Sequence, residues 1–146
     1  MGKPRTYKVG FRIAELESQD FHTVLDVKIS GIRVRAVLDT GASHSCIDRT
    51  FVEQRLPDNR PENVQGVNAG IGGSDFEVLA TTVEDFRIGH FRIERLENLA
   101  VIDFKHINEA YKIVGMKPVH FILGNDFLVM HKAIIDYTLN RMYFTK

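Results

Sequence analysis

Thr23-Val24-Leu25-Asp26-Val27-Lys28-Ile29-Ser30-Gly31-Ile32-Arg33-Val34-Arg35-Ala36-Val37-Leu38-Asp39 is the stretch that decides the fold class. Leu25, Val27 and Ile29 alternate with Asp26, Lys28 and Ser30. Beyond Gly31, the residues Ile32, Val34, Ala36 and Leu38 alternate again with Arg33 and Arg35. Successive side chains of a strand point to opposite faces, so this pattern is a hairpin with one buried face, turned at Gly31. Arg33 and Arg35 read as a solvated strand face. The second strand runs straight into Asp39-Thr40-Gly41-Ala42-Ser43, where small and turn-forming residues stop the alternation and leave a carboxylate at a strand end.

Outward from this hairpin, turn signals recur about every ten residues between short runs rich in Val, Ile, Phe and Thr, the pattern of a mostly-β chain. Val64–Val67 and Phe76–Val83 read as strands around the glycine-rich tip Asn68-Ala69-Gly70-Ile71-Gly72-Gly73-Ser74. Phe86–Ile88 and Phe91–Ile93 flank a two-residue turn at Gly89-His90. Ile107, Ala110, Tyr111 and Val114 fall at helical intervals within Phe104–Met116, with Gly115 as C-cap and Pro118 beyond. An apolar run, Val119–Leu123, precedes Gly124. Asn125 or Asp126 then caps a short helix through His131, and Ala133–Tyr137 with Arg141–Phe144 form a last hairpin. One or two short helices are thus expected. The first twenty residues, with Val9, Phe11 and Ile13 in alternation, read as an edge strand or a pro-segment, and residues 1–146 as one domain.

Composition narrows the functional classes. A chain of 146 residues with 19 Lys+Arg against 19 Asp+Glu and 44% hydrophobic residues can close a core without disulfides or a structural metal, and its single Cys46 cannot form an intrachain disulfide. Zero net charge with interleaved signs argues against a nucleic-acid partner. No apolar run approaches the roughly 20 residues of a membrane span, and Met1–Tyr7 has no signal-peptide core, so no membrane partner and a cytoplasmic location are expected. The opening Met1-Gly2-Lys3-Pro4-Arg5-Thr6 fits the loose myristoylation pattern but equally suits a cloning remnant. Histidines 22, 44, 90, 106, 120 and 131 lack the close paired spacing of a zinc site, and Gly66, Gly70, Gly72 and Gly73 lack the spacing of a phosphate-binding loop. No metal and no other cofactor is implied. Cys46 reads as a small buried hydrophobe.

Hydrolysis of an amide without a metal or a covalent nucleophile requires a carboxylate held beside water in a rigid loop, and Asp39-Thr40-Gly41 supplies that residue type in that setting. Alone, those three residues more often describe an aspartate turning a hairpin. Their order with Ala69-Gly70-Ile71-Gly72-Gly73 and Phe121-Ile122-Leu123-Gly124-Asn125-Asp126 adds more: over about residues 23 to 144 the sequence resembles the retropepsin-like aspartic proteases. The resemblance implies a closed, retropepsin-like β-barrel with a flap hairpin. It makes Asp39 the catalytic acid, supported by Thr40 and Gly41, with Leu123 and Gly124 beneath the loop. Ala42 and Ser43 would line the substrate groove, and Ala69, Gly70, Ile71 and Gly72 would close over it.

Such chemistry uses two aspartates, and the chain has one Asp-Thr-Gly, since Asp126 precedes Phe127 and Asp136 precedes Tyr137. The implied enzyme is a homodimer in which the two Asp39 residues meet on the twofold axis and cut peptide or protein substrates. Two carboxylates about 3 Å apart cannot both ionise cheaply, so the pair holds one proton over an acidic range, as in an acid protease. The sequence departs from the retroviral pattern at Asn125, where an arginine helps to fasten the dimer, and in the longer Phe86–Pro118 segment with its helix. His44 has no counterpart in that pattern. Two rival readings are a noncatalytic dimerisation or peptide-binding module of the same fold, and a small ligand-binding barrel in which Asp39 is structural.

Overall fold

The computed structural model describes residues 2–59, 62–64 and 78–146. In chain order the strands are β1 (Thr6–Gly10), β2 (Arg12–Glu15), β3 (Phe21–Ile29), β4 (Ile32–Leu38), β5 (Cys46–Asp48), β6 (Glu62–Val64), β7 (Val78–Ile88), β8 (Phe91–Ile102), β9 (Phe121–Leu123), β10 (Ile134–Asp136) and β11 (Arg141–Thr145). The helices are α1 (Arg49–Arg55), α2 (Lys105–Ile113) and α3 (Asn125–Met130). Strands β3, β4, β9, β5, β8 and β7 are hydrogen-bonded in that order, and β7 returns to β3 through Lys28↔Arg87 and Ile29↔Phe86, closing a six-stranded barrel. A separate sheet, β1-β11-β10, ties Thr6–Gly10 to the last strand.

The deciding hairpin forms in the expected register, from Thr23↔Leu38 to Ile29↔Ile32. Ser30 and Gly31 both have positive φ, +50° and +81°, which suits a two-residue turn that follows the twist of the strands. Leu25, Val27, Ile29, Val34, Ala36 and Leu38 are buried, as the alternation requires. They join Phe86, Phe91, Phe121, Phe127 and Phe144, whose rings meet edge-on or tilted at centroid distances of 5.2 to 5.8 Å. Removing one such ring costs about 3–5 kcal/mol. A smaller cluster of Phe104, Tyr111 and Val119 packs α2 against Val37 and Ile122.

Several expectations are corrected. Among the described residues there are three short helices where one or two were expected: α1 follows Asp48, whose carboxylate accepts from Thr50 N. The stretches Phe86–Ile88 and Phe91–Ile93 are the turn-proximal ends of the long strands β7 and β8, which a bulge near Thr81 and Val83 makes irregular enough to hide the alternation. Gly124, not Asn125 or Asp126, caps α3, because the two polar residues already lie in its first turn and their side chains bond elsewhere. The N-terminal stretch makes two strands in different sheets, β1 on β11 and β2 on β3, with Phe11 buried between them. The expected tip residues Ala69, Gly70, Ile71 and Gly72 lie outside the described residues. Among the described residues no helix is long and apolar enough to cross a membrane.

Candidate active site

The parallel pairing of β4 with β9 matches Leu38 to Leu123, and one step later Asp39 N donates to Leu123 O at 3.0 Å. Asp39 therefore leaves the sheet at a fixed point. Its carboxylate Oδ1 accepts from Gly41 N at 2.9 Å, and its carbonyl accepts from Ala42 N at 3.2 Å, which folds the loop back on itself. A Cβ on Gly41 would stand 3.2 Å from that same Oδ1. Asp39, Thr40, Gly41 and Ser43 are exposed, and Ala42 is half-buried.

The floor of the loop is made by residues some eighty positions downstream. Gly124 lies so close behind it that a Cβ would fall 2.7 Å from His44 C and 2.9 Å from Ala42 O, both backbone atoms that cannot move aside cheaply. Leu123 and Gly124 thus lie directly behind the loop. Asn125 N donates to Ala42 O at 2.8 Å, Asp126 N to Ser43 O at 3.2 Å, and Asn125 Nδ2 to Thr40 O at 2.6 Å. Buried Ser45 donates its hydroxyl to Asp126 Oδ1 at 2.7 Å and accepts from Gly124 N at 2.9 Å. Sequence reasoning missed Ser45, Asn125 and Asp126 as loop supports. The available signal was small polar residues flanking both halves of the motif. At Asn125, where the retroviral pattern has arginine, this chain clamps its own loop.

A cavity of about 630 Å³ opens beside Asp39. Val37, Leu38 and Ile122 form its sheet side, and Ile107, Ala110 and Tyr111 of α2 form the facing wall. At its rim, His22 Nδ1 and the Tyr111 hydroxyl are hydrogen-bonded at 2.8 Å, and His22 Nε2 stands 3.4 Å from Asp20 Oδ1. Burial, then the negative charges of Asp39 and Asp20, push the Tyr111 phenol up, so it stays protonated and polar. This rim pair was also missed, because His22 and Tyr111 are 89 positions apart. Burial, Asp126 and Asp39 raise the Cys46 thiol to about 11, which makes it an unreactive thiol near the loop. Among the described residues no three His, Cys, Asp or Glu side chains gather as a metal site. Chemically, the arrangement offers an accessible, rigidly aimed loop carboxylate, Asp39, next to a cleft of apolar walls with a polar rim that includes Asp20.

Comparison with known proteins agrees with this geometry. A family profile described as aspartyl protease matches residues 25–127, the span from β3 into α3 that contains both Asp39 and Gly124. No curated protein sequence matches the chain. Among solved structures, a retropepsin-like aspartic protease from Rickettsia conorii superposes with a TM-score of 0.54 at 14% identity, covering 99% of this chain and 95% of that one. The retroviral protease-like domain of Ddi1 from Leishmania major gives 0.51 at 20% identity, covering 82% and 84%. The EIAV protease complexed with the inhibitor HBY-793 gives 0.52 at 24% identity, covering 82% and 97%. With its closed barrel, its pinned Asp-Thr-Gly loop and a profile match over most of its length, the chain belongs to the aspartyl protease family and has the retropepsin-like fold.

Proposed function

We propose that the protein is an aspartic endopeptidase that works as a homodimer, residues 1–146 forming one unit of it. The observation that carries this reading is the Asp39 loop. Leu123, Asn125 and Asp126 bond the loop directly, and Gly124 packs behind it, yet among the described residues the carboxylate takes one bond, from Gly41 N. A structural aspartate needs no such arrangement. Exposed apolar side chains in the segment after the loop floor, Val129, Met130, Ile134, Tyr137 and Leu139, support a partner of the same kind.

In the dimer, two Asp39 carboxylates share one proton and hold a water between them. The ionised member takes a proton from that water as its oxygen attacks the scissile carbonyl carbon, and the other gives its proton to the carbonyl oxygen. Proton return to the leaving nitrogen then breaks the C–N bond. Substrate binds extended, by strand addition along the cleft, with Ala42 and Ser43 on the loop side and Ala69, Gly70, Ile71 and Gly72 as the covering tip.

The test is digestion of a mixed peptide library between about pH 3.5 and pH 7, with sedimentation of the same samples, comparing the wild type with Asp39→Asn. Cleavage by a dimer that vanishes in the variant supports the reading and gives the side-chain preference. Folded, dimeric protein that cuts nothing assigns the chain to a noncatalytic peptide-binding role.

A further inference from the structure

On the outer face of the barrel, four cations stand directly opposite one another on four adjacent strands. The register pairs Arg33 of β4 with Lys28 of β3, Lys28 with Arg87 of β7, and Arg87 with Arg92 of β8. Lys28 is exposed between buried Val27 and Ile29, and Arg87 between buried Phe86 and Ile88, so the row faces solvent. Like charges directly opposite on a sheet destabilise it, and here three such pairs occur in succession. The solvated face expected at Arg33 is one end of this row.

Acids beside the row pair with three of its four cations, Arg33, Arg87 and Arg92. Asp26 contacts Arg33 at 2.7 Å and Arg12 at 3.3 Å, while Asp85 contacts Arg87 at 2.8 Å and Arg92 at 2.7 Å. Glu94 approaches Arg92 at 3.8 Å. Burial pulls the Asp26 carboxyl up, but the two guanidiniums outweigh it, and both aspartates are held below their ordinary range. Lys28, second in the row, is left out of the ion pairs of the described residues. Lys28 lines a shallow depression of about 440 Å³ with Arg12, Arg33 and Arg87, and a second of about 580 Å³ shares Arg12 and Arg33; among the described residues Asp26 is the one acid in either.

We propose that this row is a docking site for an extended acidic peptide segment of a protein partner. Three strand intervals of about 4.8 Å make the row about 14 Å long, the reach of about four residues of extended peptide. A peptide can set carboxylates against Lys28 and neutral residues against Asp26 and Asp85, whereas a phosphate backbone of uniform charge meets those two aspartates with repulsion. The net charge of zero gives no long-range pull on a polyanion, so attraction acts only within about a Debye length of 8 Å. Arg33 lies six positions before Asp39, about 20 Å along β4, which separates the row from the candidate active site and makes the proposal independent of proteolysis.

The experiment is fluorescence anisotropy of a labelled, alternating Glu-Gly decapeptide with Asp39→Asn protein, which cannot cut the probe. The Gln-Gly counterpart and an oligothymidylate of equal charge serve as competitors, at about 20 and 150 mM salt. Lys28→Glu and Lys28→Gln are compared with Lys112→Glu on α2, the same charge reversal elsewhere. The expected result is binding of the Glu peptide alone, weakened about tenfold or more by Lys28→Glu, less by Lys28→Gln, and unchanged by Lys112→Glu. The melting midpoint of Lys28→Glu should equal or exceed that of its parent, because two like-charge pairs become opposite-charge pairs. Equal weakening by Lys112→Glu, binding of oligothymidylate as tight as the peptide's, or no binding at the lower salt overturns the proposal.

Discussion

Two aspartates flank the opposite ends of β9 and meet opposite fates. Asp39 N bonds to Leu123 O at one end, and Asp48 N bonds to His120 O at the other. Asp39 is exposed, and among the described residues its carboxylate accepts from Gly41 N alone. Asp48 is 3% exposed, and its carboxylate accepts from Thr50 N, from Phe104 N at 3.1 Å and from His120 Nδ1 at 2.8 Å, with the His120 ring stacked on Phe51. Both are strand-end carboxylates on the same scaffold. What separates them is the hydrogen-bonding capacity that the described residues take up: Asp48 accepts from α1, from the start of α2 and from the residue before β9, whereas Asp39 leaves acceptor capacity facing solvent.

The sharpest way to break this comparison is to remove each carboxylate in turn. Asp39→Asn should lower peptide cleavage by about a thousandfold while changing stability by less than about 0.5 kcal/mol, read from peptide assays and urea unfolding of the same preparation. Asp48→Ala should do the reverse, costing about 2–4 kcal/mol in urea unfolding because Phe104 N and His120 lose a charged acceptor inside the fold. If Asp39→Asn unfolds the protein as readily as Asp48→Ala, the distinction fails. Gly124→Ala tests the floor beneath the exposed aspartate. Its Cβ has no room against the backbone of His44 and Ala42, so a loss of about 1–3 kcal/mol should accompany reduced cleavage. Tyr111→Phe removes the rim hydroxyl and should cost about 1 kcal/mol or less, shifting KM and side-chain preference more than kcat.

The smallest effect concerns pH. His131 packs between Phe91 and Phe127, at 4.9 and 4.6 Å between ring centroids, and burial followed by the nearby Lys146 lowers its affinity for a proton below the ordinary 6.5. The unfolded chain therefore takes up a proton that the folded imidazole resists. Stability should be level above about pH 6.5 and decline as pH falls below it, until the folded imidazole itself protonates. His131→Gln should flatten that part of the curve. A decline of equal size in the variant would place its origin elsewhere.

Much of this was legible in the sequence, for local reasons. The β3–β4 hairpin follows from a period of two and a glycine turn, and the Asp39 loop and Gly124 from short motifs whose geometry allows few residue types. The missing parts are those defined by distant partners. Strand β5 has only three residues and exists because β8 and β9 bracket it. Asp126 looks like a helix cap until Ser45, 81 positions away, claims its carboxylate. Likewise, no pattern in the sequence shows that Arg33, Lys28, Arg87 and Arg92 form one row, because that depends on the register of three strand pairs.

The pairing of Leu38 with Leu123 also carries a consequence for how the protein comes into being. Parallel contact between segments this far apart is slow to form and cannot be made by a partial chain. On a ribosome, Asp39 emerges long before Leu123, Gly124 and Asn125, and until they arrive the loop has neither its floor nor the clamp on Thr40. The separate sheet forms later still, because β1 waits for β11. The order of translation thus separates making from fixing: the Asp39 loop is among the earlier parts to be made and among the later to be held in place.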